Sequence, residues 1–426
     1  MPRITARPSA IPATAGREFA ILKQLEKPDG SIDAQLFEEY NKRYGNGAAP
    51  AKDELSFEEF CALFKKPALN SGSGEGDCAG WAAQDESGHL APWRFNRRAT
   101  GPHDVRIQIT HAGMCHSDLH QVRNEWKGSK YPMVPGHEIV GIVTEVGSEV
   151  KNFKVGDRAG VGCLVNSCQE CDFCLKDKEE QYCSKGMIGT YNSVDKDGTM
   201  TYGGYSTSVV VNDKFVLHVP DNLPLADSAP LLCAGITVYS PIRHFGFDKP
   251  GMHVGVVGLG GLGHMAVKFL KALGVKTTII STSPGKKDEA LKVLGADAFL
   301  VSKDETQMAG AAMSMDGLIN TVSAPHDLGG LLNLLKTSGT MVCVGAPPEP
   351  PAMPTFNMIF RRLKVAGSLI GGIRETQEML DFCGQHNITC MSEVIPVTEA
   401  NKAYDRMLKS DVRYRFVIDI QGSLIA

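Results

Sequence analysis

No apolar run in this 426-residue chain reaches the ~20 residues needed to cross a bilayer, so no membrane span is expected. Net charge is also scarce. A balance of -4 offers no general attraction to nucleic acid or to an anionic membrane. No secretory signal peptide is visible, and no internal repeat runs through the chain after residue 77. Acid is missing in two informative places. The first seventeen residues hold three Arg and no carboxylate, a faint transit-peptide character in a short, proline-rich stretch. The run Ser281–Lys287 has no acid either. What remains is a globular chain with 42% hydrophobic and 22% charged residues, enough to bury more than one core.

Cysteine, by contrast, is present in a pattern. Four thiols lie within sixteen residues, as Cys168-x2-Cys171-x2-Cys174-x8-Cys183. Zn2+ prefers four S or N ligands and holds thiols deprotonated, so this loop suits a closed, structural zinc site. Disulfides between such close neighbours rarely reach good geometry. A second, sparser set comprises Cys115 in Cys115-His116-Ser117-Asp118, His137 beside Glu138, and Cys233 after Leu231-Leu232. Ligands this far apart need a folded scaffold to meet, and three protein ligands leave one coordination position for water or substrate. On spacing alone, the plainer reading of each is an ordinary buried Cys, or an ordinary surface or core His. Cys61, Cys78, Cys163, Cys343, Cys383 and Cys390 remain as free thiols. That usage fits a reducing compartment, and a cytoplasmic location is expected, with organellar targeting left open.

The third element is Gly258-Leu259-Gly260-Gly261-Leu262-Gly263, a match to G-x-G-x-x-G. Val254–Val257 reads as the buried strand before it, and Met265–Leu273 as the helix after it. Glycines permit the tight turn and the close approach of backbone to a pyrophosphate on the helix N-terminus. The next strand, Thr278–Ile280, leads into Ser281-Thr282-Ser283-Pro284-Gly285-Lys286-Lys287. An NAD-binding unit usually carries an acid there for the ribose hydroxyls. Hydroxyls and two cations suit a 2'-phosphate instead, so NADP(H) is the expected cofactor. The bland alternative is an ordinary polar loop.

Together these stretches resemble the zinc-dependent medium-chain alcohol dehydrogenases, in particular the cinnamyl alcohol dehydrogenases. The likeness begins near Gly80 and runs to the C-terminus. It is carried by Gly80–Ala83, Leu90–Arg98 (LAPWRFNRR), Cys115–Gln121 (CHSDLHQ), Tyr131–Gly141 (YPMVPGHEIVG), Gly260–Lys268 (GGLGHMAVK) and Asp411–Asp419 (DVRYRFVID). The resemblance implies an α/β fold, in which a GroES-like, mostly β catalytic domain is joined to a Rossmann doubly wound dinucleotide domain. The expected division is 1–76 as an N-terminal extension with linker, 77–233 and 372–426 as the catalytic domain, and 234–371 as the NADP-binding domain.

The same resemblance implies two Zn2+ per chain, one catalytic on Cys115, His137 and Cys233, one structural on the four-cysteine loop. It implies that Glu138 stands beside the metal, Ser117 hydrogen-bonds the substrate oxygen, and His120 relays protons toward solvent. His116, Thr237, Thr321, Gly345, Ser368, Leu369 and Ile370 match cofactor contacts. The implied reaction interconverts primary alcohols and aldehydes by hydride transfer with NADP(H), in a homodimer. Two departures stand out. The family loop usually has seven residues before its fourth Cys, and here Leu175–Tyr182 makes eight. Two aromatic side chains of the lignin-type pocket are replaced by Ile188 or Gly189, and by Leu369. Two other readings stay open: a zinc-bearing reductase of a conjugated C=C bond, and a non-catalytic regulatory protein using the extension.

The extension contains two segments, Asp29–Glu39 and Leu55–Phe60, similar to parts of calcium loops but lacking most oxygen ligands. Amphipathic helices that dock or interact are the plainer expectation. Leu69–Asp77 (LNSGSGEGD) reads as a flexible linker.

Overall fold

The computed structural model describes residues 76–347, 349 and 351–424, with the backbone of Ile4–Thr5 and Ala51–Leu55, which pair antiparallel. The helices expected elsewhere in the extension, and most of its calcium-loop-like segments, lie outside the described residues.

The first part of the chain is built from short strands. A hairpin joins β1 (Cys78–Ala83) to β2 (Leu90–Phe95). β3 (Asp104–Gly113) follows, and Val105, Ile107 and Ile109 along it are fully buried. That period of two is the signature of a strand with one face in a core. A short helix, α1 (His116–Val122), leads to β4 (Ile139–Val146) and β5 (Arg158–Val161). β6 (Leu164–Asn166) and β7 (Ile188–Gly189) pair across the base of the four-cysteine loop. β8 (Ser208–Asn212) and β9 (Leu217–His218) complete this part.

Helix α2 (Ala234–His244) then opens a different architecture. β10 (His253–Val257), α3 (Gly261–Ala272) and β11 (Lys276–Ser281) form a βαβ unit with parallel pairing. β12 (Ala298–Val301), β13 (Met315–Asn320), β14 (Leu335–Cys343), α4 (Thr355–Arg361) and β15 (Lys364–Gly367) extend it. The sheet order β12-β11-β10-β13-β14-β15 reverses direction at β10, and ligands of doubly wound sheets bind at such a switch point. The chain returns through α5 (Ile373–His386), β16 (Ser392–Pro396) and β17 (Arg415–Asp419).

β17 inserts antiparallel against β3, with Val417 opposite Gly113 and Asp419 opposite His111. The first sheet therefore runs β9-β5-β4-β3-β17-β16, with β8 also paired to β3. One continuous buried cluster spans both sheets, from Ile107 through Leu231 and Val238 to Val256 and Phe269. Among the described residues, no single helix is long and apolar enough to cross a membrane. The apolar pair Leu225–Leu232 and Ala234–His244 is bent by 53°, and Ala229–Leu232 and Ala234–Ile242 are buried inside the fold.

Candidate active site

Three chain segments converge where β3, β4 and α2 meet. Cys115 precedes α1, His137 and Glu138 precede β4, and Cys233 precedes α2. One side-chain ligand atom from each of Cys115, His137, Glu138 and Cys233 lies within 4.8 Å of the others. The Cys115 and Cys233 sulfurs are 3.9 Å apart. Glu138 is fully buried, and its Oε2 has no hydrogen-bond partner. Two thiols, an imidazole and an unsatisfied carboxylate oxygen form a donor set suited to Zn2+.

The surroundings hold these ligands in place. Asp118 is fully buried on α1. Its carboxylate accepts the Cys115 N–H at 2.9 Å, the Gly136 N–H at 3.1 Å and the Tyr205 hydroxyl at 3.3 Å, and lies 3.1 Å from His137 Nδ1. One buried acid thus orients a thiol loop and fixes which imidazole nitrogen faces the cluster, the outer-shell role common at metal sites. Arg415 on β17 pairs its Nη2 with Glu138 Oε1, and both side chains are buried. Burial pushes the Glu138 carboxyl well above the ordinary range, opposed by the Arg415 charge. The Cys115 thiol is held well below the ordinary thiol range, first by its hydrogen bond with Cys233, then by Arg415 and His137, against burial. A Cβ on Gly113 would come within 1.9 Å of Glu138 Oε2, so the carboxylate occupies space that only glycine leaves free.

The proposed proton path starts beside the cluster. Ser117 is half-buried, with its hydroxyl 3.6 Å from Cys115 Sγ. His120, one turn further along α1, pairs with Glu125. Its ring lies 6.4 Å from that of His116 and 5.0 Å from that of Trp126. Trp126 is 48% exposed and packs against the His120 ring, a contact that the motifs did not reveal.

The clustered thiols also assemble. One ligand atom from each of Cys168, Cys171, Cys174 and Cys183 lies within 4.8 Å of the rest. The Cys171 and Cys174 sulfurs are 3.5 Å apart. Backbone N–H groups of Glu170 and Cys171 point at Cys168 Sγ at 3.4 and 3.3 Å, and that of Cys168 at Cys183 Sγ at 3.3 Å. Hydrogen bonds from Ser184 bring the Cys171 thiol down to about 6, whereas burial pushes the Cys174 thiol up to about 12. Donors aimed at sulfur favour thiolates, the form a closed Zn2+ site takes.

The glycine fingerprint forms the turn from β10 into α3. Gly258 has φ +90°, and a Cβ on Gly263 would sit 2.1 Å from the Gly258 carbonyl oxygen. A Cβ on Gly260 would meet nothing within 4 Å, so the backbone there faces open space at the helix N-terminus. That cradle fits a pyrophosphate. Thr321 donates its hydroxyl to the Val257 carbonyl at 2.8 Å, and the Gly345 N–H reaches Asn320 O at 3.2 Å, lining the ends of β10 and β13. Thr237 is buried on α2, its N–H donating to the Cys233 carbonyl at 2.9 Å.

In the polar loop, Ser281 is buried and accepts the Ser283 N–H at 3.2 Å, whereas Thr282 and Ser283 are exposed. Lys286 donates to the Leu259 carbonyl at 2.8 Å, which ties the loop to the fingerprint. Leu262 is half-buried at the start of α3. Ser368 anchors to β14 through the Cys343 carbonyl at 3.3 Å. Leu369 is 44% exposed, and Ile370 is buried.

Residues 101–221 match the alcohol dehydrogenase GroES-like domain, and residues 261–385 the zinc-binding dehydrogenase domain. An 8-hydroxygeraniol dehydrogenase from Catharanthus roseus is 59% identical over 345 residues, covering 81% of this chain and 95% of the relative. A cinnamyl alcohol dehydrogenase structure from Sorghum bicolor has 52% identity and a TM-score of 0.79, covering 82% of this chain and 99% of that one. A cinnamyl alcohol dehydrogenase from Helicobacter pylori, complexed with NADP(H), has 42% identity and a TM-score of 0.76, covering 81% and 99%. With likeness at this level along four-fifths of its length, the chain belongs to the zinc-dependent medium-chain alcohol dehydrogenases.

Proposed function

We propose that the protein interconverts primary alcohols and aldehydes, aliphatic and aromatic, with NADP(H) as hydride carrier. The convergence of Cys115, His137, Glu138 and Cys233 beside a dinucleotide fold carries this reading. Bound on Cys115, His137 and Cys233, Zn2+ supplies a Lewis acid for the substrate oxygen, and NADP(H) supplies or takes the hydride.

The chain's own groups do the rest. Ser117 holds the proton exchanged with the substrate oxygen, and His120 with Glu125 links it toward solvent. Asp118 orients His137, and Arg415 pairs with Glu138 and holds it in place. His116, Thr237, the 258–263 turn, Thr321, Gly345 and Ser368–Ile370 bind the cofactor. Ser281, Thr282, Ser283 and Lys286 take its 2'-phosphate. A second Zn2+ on Cys168, Cys171, Cys174 and Cys183 braces the loop.

The catalytic domain comprises 77–233 and 372–426, and the NADP-binding domain 234–371. The way β17 completes the first sheet supports this division. The protein works as a homodimer. Exposed Phe356, Ile359 and Phe360 on α4, next to edge strand β15, support that assembly. The free thiols outside both metal sets suit a reducing compartment, the cytoplasm.

An enal tests the chemistry with NADPH and NADH compared. The expected outcome is allylic alcohol, with kcat/KM about tenfold or more higher for NADPH, since a charged contact to the 2'-phosphate contributes ~1.5–3 kcal/mol. Saturated aldehyde as product, or equal use of the two cofactors, would contradict the reading.

A further inference from the structure

The four-cysteine loop is not confined to its own metal set. Its second half, the stretch with one residue more than the family pattern, leans on the return from β15 to α5. Tyr182 accepts the Leu369 N–H on its phenolic oxygen at 3.0 Å. Glu180 accepts the N–H of Ile373 at 3.0 Å, at the start of a fourteen-residue helix. A carboxylate there also meets the positive end of the helix dipole. From the other side, Arg374 donates to the Asp177 carbonyl at 3.1 Å. The backbones themselves are close, since a Cβ on Gly372 would lie 2.0 Å from the Lys178 carbonyl oxygen.

Between the two tethered amides the chain is strained. Ile370 has φ +35°. A β-branched side chain is a genuine outlier at positive φ, and such strain persists only where surrounding contacts over-determine it. Tyr182 and Glu180 supply those contacts one residue before and three residues after Ile370. Cys183 directly follows Tyr182, so metal at the loop and the placement of Leu369 share one short piece of chain.

We propose that Glu180 and Tyr182 are positioning residues, through which the four-cysteine loop holds Leu369–Ile373 in the conformation that receives cofactor and aldehyde. The inference rests on the reading of Ser368–Ile370 as cofactor contacts. It gives the loop a role in binding beyond bracing the fold. Neither residue touches the reacting atoms. Their effect passes through the Leu369 amide and the start of α5.

The test uses full-length, zinc-loaded protein and the variants Tyr182→Phe, Glu180→Ala and Glu180→Gln. Four quantities are measured: zinc per chain, NADPH Kd by fluorescence titration, the kcat and KM of aldehyde reduction, and amide exchange at Leu369 and Ile373. Tyr182→Phe and Glu180→Ala are expected to keep two zincs. Each should raise NADPH Kd or aldehyde KM roughly three- to tenfold, as expected for loss of one hydrogen bond, with kcat within twofold. Exchange at the freed amide should quicken. Glu180→Gln keeps an acceptor oxygen and should stay close to the unmodified protein. Unchanged Kd and KM in Tyr182→Phe, with two zincs present, would overturn the proposal, as would equal losses in Glu180→Gln and Glu180→Ala. If the unmodified protein itself fails to bind NADPH, the cofactor reading fails, a result distinct from a variant that binds as well as its parent.

Discussion

At the residue scale, the two thiol sets are expected to fail differently. Cys115→Ser removes a ligand from an open site and should lower turnover by ~100-fold or more, with the fold and the second zinc retained. Cys171→Ser opens a closed site and should act on stability, lowering the melting midpoint by roughly 5–10 °C before it affects the chemistry. Metal analysis and thermal scans of both variants check the distinction, and equal effects on turnover and melting would contradict it. The four-cysteine loop was legible from its spacing, whereas Cys115, His137 and Cys233, spread over more than a hundred residues, were legible only through the family resemblance. Asp118 and Arg415 were not. Asp118 is in plain view beside Ser117, but its value lies in burial and in four partners that only the folded chain supplies. Arg415 is 277 residues from Glu138, and nothing local marks it as a partner. Glu180 and Tyr182 were hidden for the same reason, since their acceptors serve amides nearly two hundred residues away.

At the element scale, the β10–α3–β11 unit was the clearest part of the sequence, because a strand, a glycine turn and a helical period follow one another without interruption. The closing of the first sheet by β17 was not legible, as pairing of residues 111–113 with 417–419 leaves no local pattern. α3 is joined to that closing region by His264, which is fully buried and stacked 4.6 Å from the Tyr414 ring. Its Nδ1 lies 3.2 Å from the Gly260 carbonyl, and its Nε2 accepts the Met391 N–H at 3.3 Å. Only the neutral ring satisfies both partners, because a protonated Nε2 would face another N–H. Burial, aided by the Lys268 charge, pushes its pKa down to about 3. Above about pH 6.5 the ring is neutral in folded and unfolded chains alike. Below that, the unfolded chain takes up a proton that the folded one refuses until about pH 3. This histidine's contribution to stability is therefore present above pH 6.5 and lost as pH falls through that window. His264→Gln should cost about 1–2 kcal/mol at pH 7 and show a shallower acid decline than its parent, read as melting midpoint against pH. Parallel declines would contradict the assignment.

At the scale of the whole molecule, the proposed ligands, proton path and cofactor contacts all lie after residue 77, behind a glycine- and serine-rich stretch. Deleting residues 1–76 should leave kcat/KM within a few-fold and both zincs bound, with calcium without effect on either form, as the calcium-loop-like segments lack most oxygen ligands. Steady-state kinetics of the two forms check this, and a large loss of kcat would make the extension part of the working enzyme. The account stands or falls on hydride transfer at a carbonyl carbon beside the Cys115–His137–Cys233 set. NADPH carrying deuterium on its transferable position, turned over with an enal and followed by mass spectrometry of the product, tests that directly. The account predicts allylic alcohol bearing one deuterium on the former carbonyl carbon. Deuterium on the β-carbon of a saturated aldehyde, or no transfer by zinc-loaded protein, would contradict it.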